Sequence, residues 1–120
     1  MKATPVTIPD KLLDRVAEKF RMLGDSTRLS ILRALLAGEK NVGTVVAETG
    51  QNQANVSKHL KMLTESGLIR RRKAGLQVFY HVSDPLIEKL CKLVCGSIAE
   101  EARNEVEKNR GILKSWKDLG

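Results

Sequence analysis

The side chains best suited to chemistry crowd into a short stretch of the chain: Gln53, Asn55, Ser57, Lys58, His59 and Lys61. Amides pair bidentately with adenine, lysine reaches guanine acceptors or phosphate, and a serine hydroxyl serves a base edge or the backbone. Spacing turns this collection into a surface. Val56, Leu60 and Leu63 recur at i, i+4 and i+7, which predicts a helix over 53–68 with one buried stripe. Ala54, Lys58, Lys61 and Glu65 fall opposite that stripe, flanked by Asn55 and Ser57. Small, amide, hydroxyl and cationic groups on an exposed helix suit a DNA major groove. His59 sits at the stripe's edge, where it either packs, binds phosphate or reads a base.

Gly67 is placed to end this helix in a left-handed conformation, and two short strand-like runs follow, 69–73 and 76–82, around Ala74-Gly75. The second run sets Leu76, Val78, Tyr80 and Val82 against Gln77, Phe79 and His81. Arg71, Arg72, Lys73 and Gln77 are the candidates on this hairpin for phosphate or the minor groove, and Arg72→Ala is expected to flatten the salt dependence of binding. A charge run is usually a solvated face, and that is the alternative for this one. Its context is different, because the net charge of +7 is concentrated here: residues 51–82 carry six Lys/Arg against one Asp/Glu, and residues 83–120 carry seven of each. A local cationic surface releases counterions from a phosphate backbone.

Other elements must position this surface. Pro5 and Pro9 punctuate an arm before a helix over 10–23, whose Leu12, Leu13, Val16, Phe20 and Leu23 share a face. Asp25 or Ser26 caps a helix over 27–36 with Leu29, Leu32, Leu35 and Leu36 as its stripe, stopped at Ala37-Gly38. Val42, Val45 and Val46 begin a shorter helix ending at Gly50, and Gln51-Asn52 turns into the helix at 53. Two helices joined by a tight turn and followed by a basic hairpin make a winged helix-turn-helix, mainly α with a small β-hairpin. After Asp84-Pro85, a stripe of Ile87, Leu90, Cys91, Val94, Cys95, Ile98 and Ala102 predicts a helix to about Asn109, interrupted at Gly111. Ile112, Trp116 and Leu119 form a further amphipathic piece or a frayed tail.

At 120 residues and 42% hydrophobic composition the chain is read as a single domain, with its DNA-reading unit at about 25–82 and dimerisation helices at about 10–23 and 84–109. The helices at the two ends carry more apolar surface than the central unit needs, so a second copy is expected to cover it. No run reaches the roughly 18 apolar residues of a membrane span, and a cytoplasmic protein without a membrane partner is expected. Catalysis is not expected: no nucleophile has a recognisable base beside it, the two histidines are far apart in sequence, and no glycine-rich phosphate loop is present.

Residues 20–36, Phe-Arg-Met-Leu-Gly-Asp-Ser-Thr-Arg-Leu-Ser-Ile-Leu-Arg-Ala-Leu-Leu, resemble the second-helix signature of the arsenic-repressor-like (ArsR) family of winged-helix regulators. Val56-Ser57-Lys58-His59-Leu60, with Leu63, Gly67 and Leu68, is similar to that family's recognition helix, and the resemblance spans about residues 12–100. It implies a homodimer paired through the first and last helices, binding an inverted-repeat operator in double-stranded DNA as a repressor that an inducer releases. A winged-helix module meeting nucleic acid or protein without operator specificity is the alternative. The family's metal sites do not carry over. Its thiol segment is matched by Glu39-Lys40-Asn41-Val42-Gly43, and Leu86 and Ser97 stand where imidazoles would flank Asp84 and Glu100, which leaves a poor zinc donor set.

Cys91 and Cys95 are left, neighbours on one helix face at i, i+4. Either they are two small apolar residues of an interface, or the pair senses a soft metal, a metalloid or a thiol-reactive species. No cofactor is expected otherwise.

Overall fold

Short polar side chains start the helices of this protein. Asp25 Oδ1 accepts from the Arg28 N–H at 3.0 Å, Asn41 Oδ1 from the Thr44 N–H at 2.9 Å, and Asn52 Oδ1 from the Asn55 N–H at 2.8 Å. Each satisfies an N–H that the first helical turn leaves unpaired. The computed structural model, which describes residues 7–119, accordingly runs α1 (Asp10–Leu23), α2 (Ser26–Leu36), β1 (Lys40–Asn41), α3 (Val42–Thr49), α4 (Gln53–Glu65), β2 (Ile69–Ala74), β3 (Gln77–Val82) and α5 (Leu86–Leu119). Pro5, assigned to the leading arm, lies outside the described residues. The architecture is the expected winged helix-turn-helix, with α3 and α4 as the helix pair and β2–β3 as the wing.

Several details depart from expectation. The sheet has three strands in the order β1-β3-β2, because Lys40 and Asn41 pair antiparallel with Tyr80 and Phe79. The hairpin turns at Gly75-Leu76 rather than Ala74-Gly75: Ala74 pairs with Gln77, Gly75 takes φ +62°, and Leu76 projects fully into solvent. Glycine at the first central position of a two-residue loop suits a turn that follows the strand twist. α5 runs unbroken through Gly111, since one glycine costs a helix only about 1 kcal/mol relative to alanine.

The chain divides into two units, one ending at Asp84 and the other beginning at Pro85. In the first, Met22, Ile31, Leu32, Ala34, Leu35, Val45, Val56, Leu60, Leu63, Leu68 and Ile69 form the core. The stripe on α2 is rotated from the expected one: Leu32 and Leu35 are buried with Ile31 and Ala34, while Leu29 and Leu36 stay partly exposed. α4 closes in a Schellman motif, Leu68 N–H donating to Leu63 O and Gly67 N–H to Thr64 O, both at 3.1 Å, with Gly67 at φ +81° as expected.

Arg28 is the one charged side chain buried among the described residues. Its Nε donates to Met22 O at 2.8 Å and its Nη2 to Arg21 O at 3.0 Å, so a residue of α2 satisfies the last carbonyls of α1. Lys40 Nζ does the same for α2, donating to Ala34 O, and lies 3.4 Å from Glu48 of α3. In the second unit α5 has an exposed apolar stripe that includes Val94, Ile98, Ile112 and Trp116.

Candidate nucleic-acid interface

α4 carries the first half of the candidate interface. With Val56, Leu60 and Leu63 wholly buried, the helix can rotate neither way, and Gln53, Ser57, Lys58 and Lys61 stand exposed on its free side. Asn55 is half-buried, its Nδ2 donating to Gln51 Oε1 at 3.1 Å across the start of the helix. That bond orients the amide and must be exchanged or shared if Asn55 is to read a base. His59 is half-buried at the edge of the stripe, and its Nδ1 is enclosed with no hydrogen-bond partner among the described residues.

The wing carries the second half, and its register sorts the side chains. Arg71 opposes Tyr80 and Lys73 opposes Val78, so these share one face; Arg72 opposes Phe79 and shares the other with Gln77 and His81. Lys40, which also opposes Tyr80, reaches Ala34 O and Glu48 from the Arg71 face, so that face turns toward the helices. Four expected wing residues are therefore two pairs on opposite sides. Gln77 Oε1 accepts from Asn41 Nδ2 at 3.4 Å on the outer side.

Electrostatically the interface is unfinished. Lys58, Lys61, Arg70, Arg71 and Lys73 have no carboxylate within 4.0 Å among the described residues. Arg72 is different. Its Nε lies 3.0 and 3.2 Å from the two oxygens of Glu39, its Nη2 reaches the same carboxylate, and its guanidinium lies 5.1 Å from the Phe79 ring centroid. The hydrogen bonds from Arg72 hold Glu39 below the ordinary carboxylate range. His81 Nδ1 is 3.5 Å from Glu39 Oε2 without hydrogen-bond alignment.

Glu39, which pairs with Arg72, and Arg28, which holds the end of α1, are residues that sequence reasoning missed, since a carboxylate three residues after a helix and an arginine inside one carry no pattern of their own. At the positions of the family's thiols, Asn41 is occupied in capping α3 and Gly43 has no side chain. Neither can hold a soft ion. Cys91 is half-buried and Cys95 exposed on α5, both as free thiols. Among the described residues no group of three or more His, Cys, Asp or Glu side chains could hold a metal ion, and no helix is long and apolar enough to cross a membrane.

Comparison with known proteins places this geometry. Residues 25–71 match the family described as "Bacterial regulatory protein, arsR family". The HTH-type transcriptional regulator KmtR of Mycobacterium tuberculosis is 34% identical over 72% of this chain and 66% of its own length. The arsenical resistance operon repressor of Escherichia coli K12 is 36% identical over 80% of each chain. The homodimeric winged helix-turn-helix DNA-binding domain Mb0332 of Mycobacterium bovis superposes with a TM-score of 0.71 at 29% identity, covering 83% of this chain and 95% of that one. With relatives this similar over most of its length and the same fold, the chain belongs to the arsR family of bacterial regulatory proteins and is a winged helix-turn-helix DNA-binding transcriptional regulator.

Proposed function

We propose that two copies of this chain bind an inverted-repeat operator and repress transcription until an inducer releases them. The observation that carries this reading is the set of cations left without carboxylate partners on α4 and β2, lying beside exposed amide and hydroxyl groups. Gln53, Asn55, Ser57, Lys58 and Lys61 enter the major groove or flank it, His59 packs behind them, and Arg71, Lys73 and Gln77 meet the backbone. A homodimer presents two such surfaces, as the Mycobacterium bovis relative is homodimeric. The protein works in the cytoplasm and performs no catalysis.

A competition assay separates this from a winged-helix module without operator preference. The parent protein should favour one inverted repeat over random duplex by roughly a thousandfold or more. Lys58→Ala with Lys61→Ala should cost about tenfold or more in operator affinity. Equal affinity for operator and random duplex favours the module.

For the inducer, the arsenical resistance relative points to soft-ion or thiol chemistry, and Cys91 with Cys95 supplies the thiols. A purely packing role for the same pair requires no ligand and no cofactor. Replacing both by Ser should leave operator affinity within about twofold in either case, while abolishing release by thiol-reactive inducers only if the pair senses them.

A further inference from the structure

Of the cations on the hairpin, Arg72 alone pairs with a carboxylate among the described residues, and the manner of its pairing is specific. Carboxylate and phosphate both present two oxygens to the planar guanidinium fork, so the donors Arg72 gives to Glu39 are those it would give to a DNA phosphate. One fork cannot serve both anions without setting them against each other. The Phe79 ring lies 5.1 Å from the guanidinium and His81 Nδ1 3.5 Å from the carboxylate, so both partners have neighbours beside the pair itself. Strand register puts Arg72 on the outer face of the sheet, opposite the face of Arg71 and Lys73 that turns toward the helices.

We propose that Glu39 is an affinity-limiting residue that withholds Arg72 from DNA. This rests on the reading that the wing meets a duplex. A phosphate contact adds affinity for any sequence equally. By occupying Arg72, Glu39 removes one such contact from operator and random DNA alike and so holds down the sequence-independent part of the affinity and its salt dependence. The wing's contribution to salt dependence then comes from Arg70, Arg71 and Lys73. The flattening expected of Arg72→Ala from the sequence alone gives way to near silence.

The test is a double-mutant cycle on the full chain with a random duplex, measured across a salt series. Arg72→Met keeps an apolar stem over Phe79 and should leave affinity within about twofold and the salt slope unchanged. Glu39→Gln should raise random-duplex affinity about 3- to 10-fold at low salt and steepen the slope by about one. In the Arg72→Met background the same Glu39→Gln change should give no gain. A gain that persists there would mean that loss of a negative charge near DNA is the whole effect, and a slope flattened by Arg72→Met alone would mean that Arg72 already reaches phosphate; either result overturns the proposal. A parent protein without salt-dependent duplex binding would instead bring down the DNA reading and the gate with it. Thermal unfolding of each variant excludes a loss caused by a disordered wing.

Discussion

α4 and α5 are incomplete in opposite ways. The apolar stripe of α4 is fully covered, with Val56, Leu60 and Leu63 at 0% exposure, whereas Val94 and Ile98 on α5 remain 55% and 59% exposed. Charge runs the other way. Lys92 pairs with Glu88 at 3.0 Å, Arg103 with Glu100 at 2.5 Å and Arg110 with Glu107 at 3.6 Å along α5, while Lys58 and Lys61 on α4 have no such partner among the described residues. A helix that nearly balances its cations with carboxylates, seven against six over 86–119, and whose apolar side is bare asks for protein; one with a covered apolar side and a cationic free face asks for a polyanion. The same chain thus displays an uncovered apolar surface and an unpaired cationic one with little overlap in chemistry.

Breaking the first surface should have the largest effect. Val94→Asp together with Ile98→Asp is expected to weaken self-association at least about a hundredfold, read by sedimentation, because charge would be buried where apolar contacts are needed. Unchanged association would move the interface off this stripe. Next comes the Lys58/Lys61 pair, with its loss of about tenfold or more. The matching replacement of Lys92 and Arg103 by Ala sharpens the contrast, because cations already paired along a solvated helix should change operator affinity by less than about twofold.

The smallest effect concerns how α4 is braced. Asp25→Ala should lower Tm by roughly a few degrees through loss of the α2 cap. The hydrogen bond from the Arg28 N–H holds the Asp25 carboxyl below its ordinary value of 3.8. A depressed folded-state pKa means that the stabilisation is complete above that ordinary value and disappears as pH falls through the lower folded one. The Tm gap between parent and Asp25→Ala should therefore be full at neutral pH and close in strong acid. A gap independent of pH would assign the loss to something other than the ionised cap.

What could be read in advance follows from where the information lies. α1, α3 and α4 were legible because each combines an apolar period with a stop, and Gly67 marked the end of α4 at a position where only its backbone freedom suits the turn. β1 was not, since two residues carry no alternation and Lys40-Asn41 become a strand only when β3 arrives. Leu76 suited the strand pattern by type, yet the turn geometry available to Gly75 shifted the loop by one residue. Gly111 suggested a break, but the flanking Lys108, Arg110, Leu113 and Lys114 are all good helix formers. On the surface, exposed amides and lysines were legible because α4's period fixes its faces. The partner of Arg72 was not, because Glu39 lies 33 positions away and meets it only across the finished sheet.

The buried Arg28 guanidinium has a mechanical consequence. Because it grips two of the last three carbonyls of α1 from within α2, those helices behave at that corner as one bent rod instead of two hinged segments. Torque applied to α1 by a neighbouring subunit would pass through this rivet into the element that backs α4, with no flexible loop to absorb it.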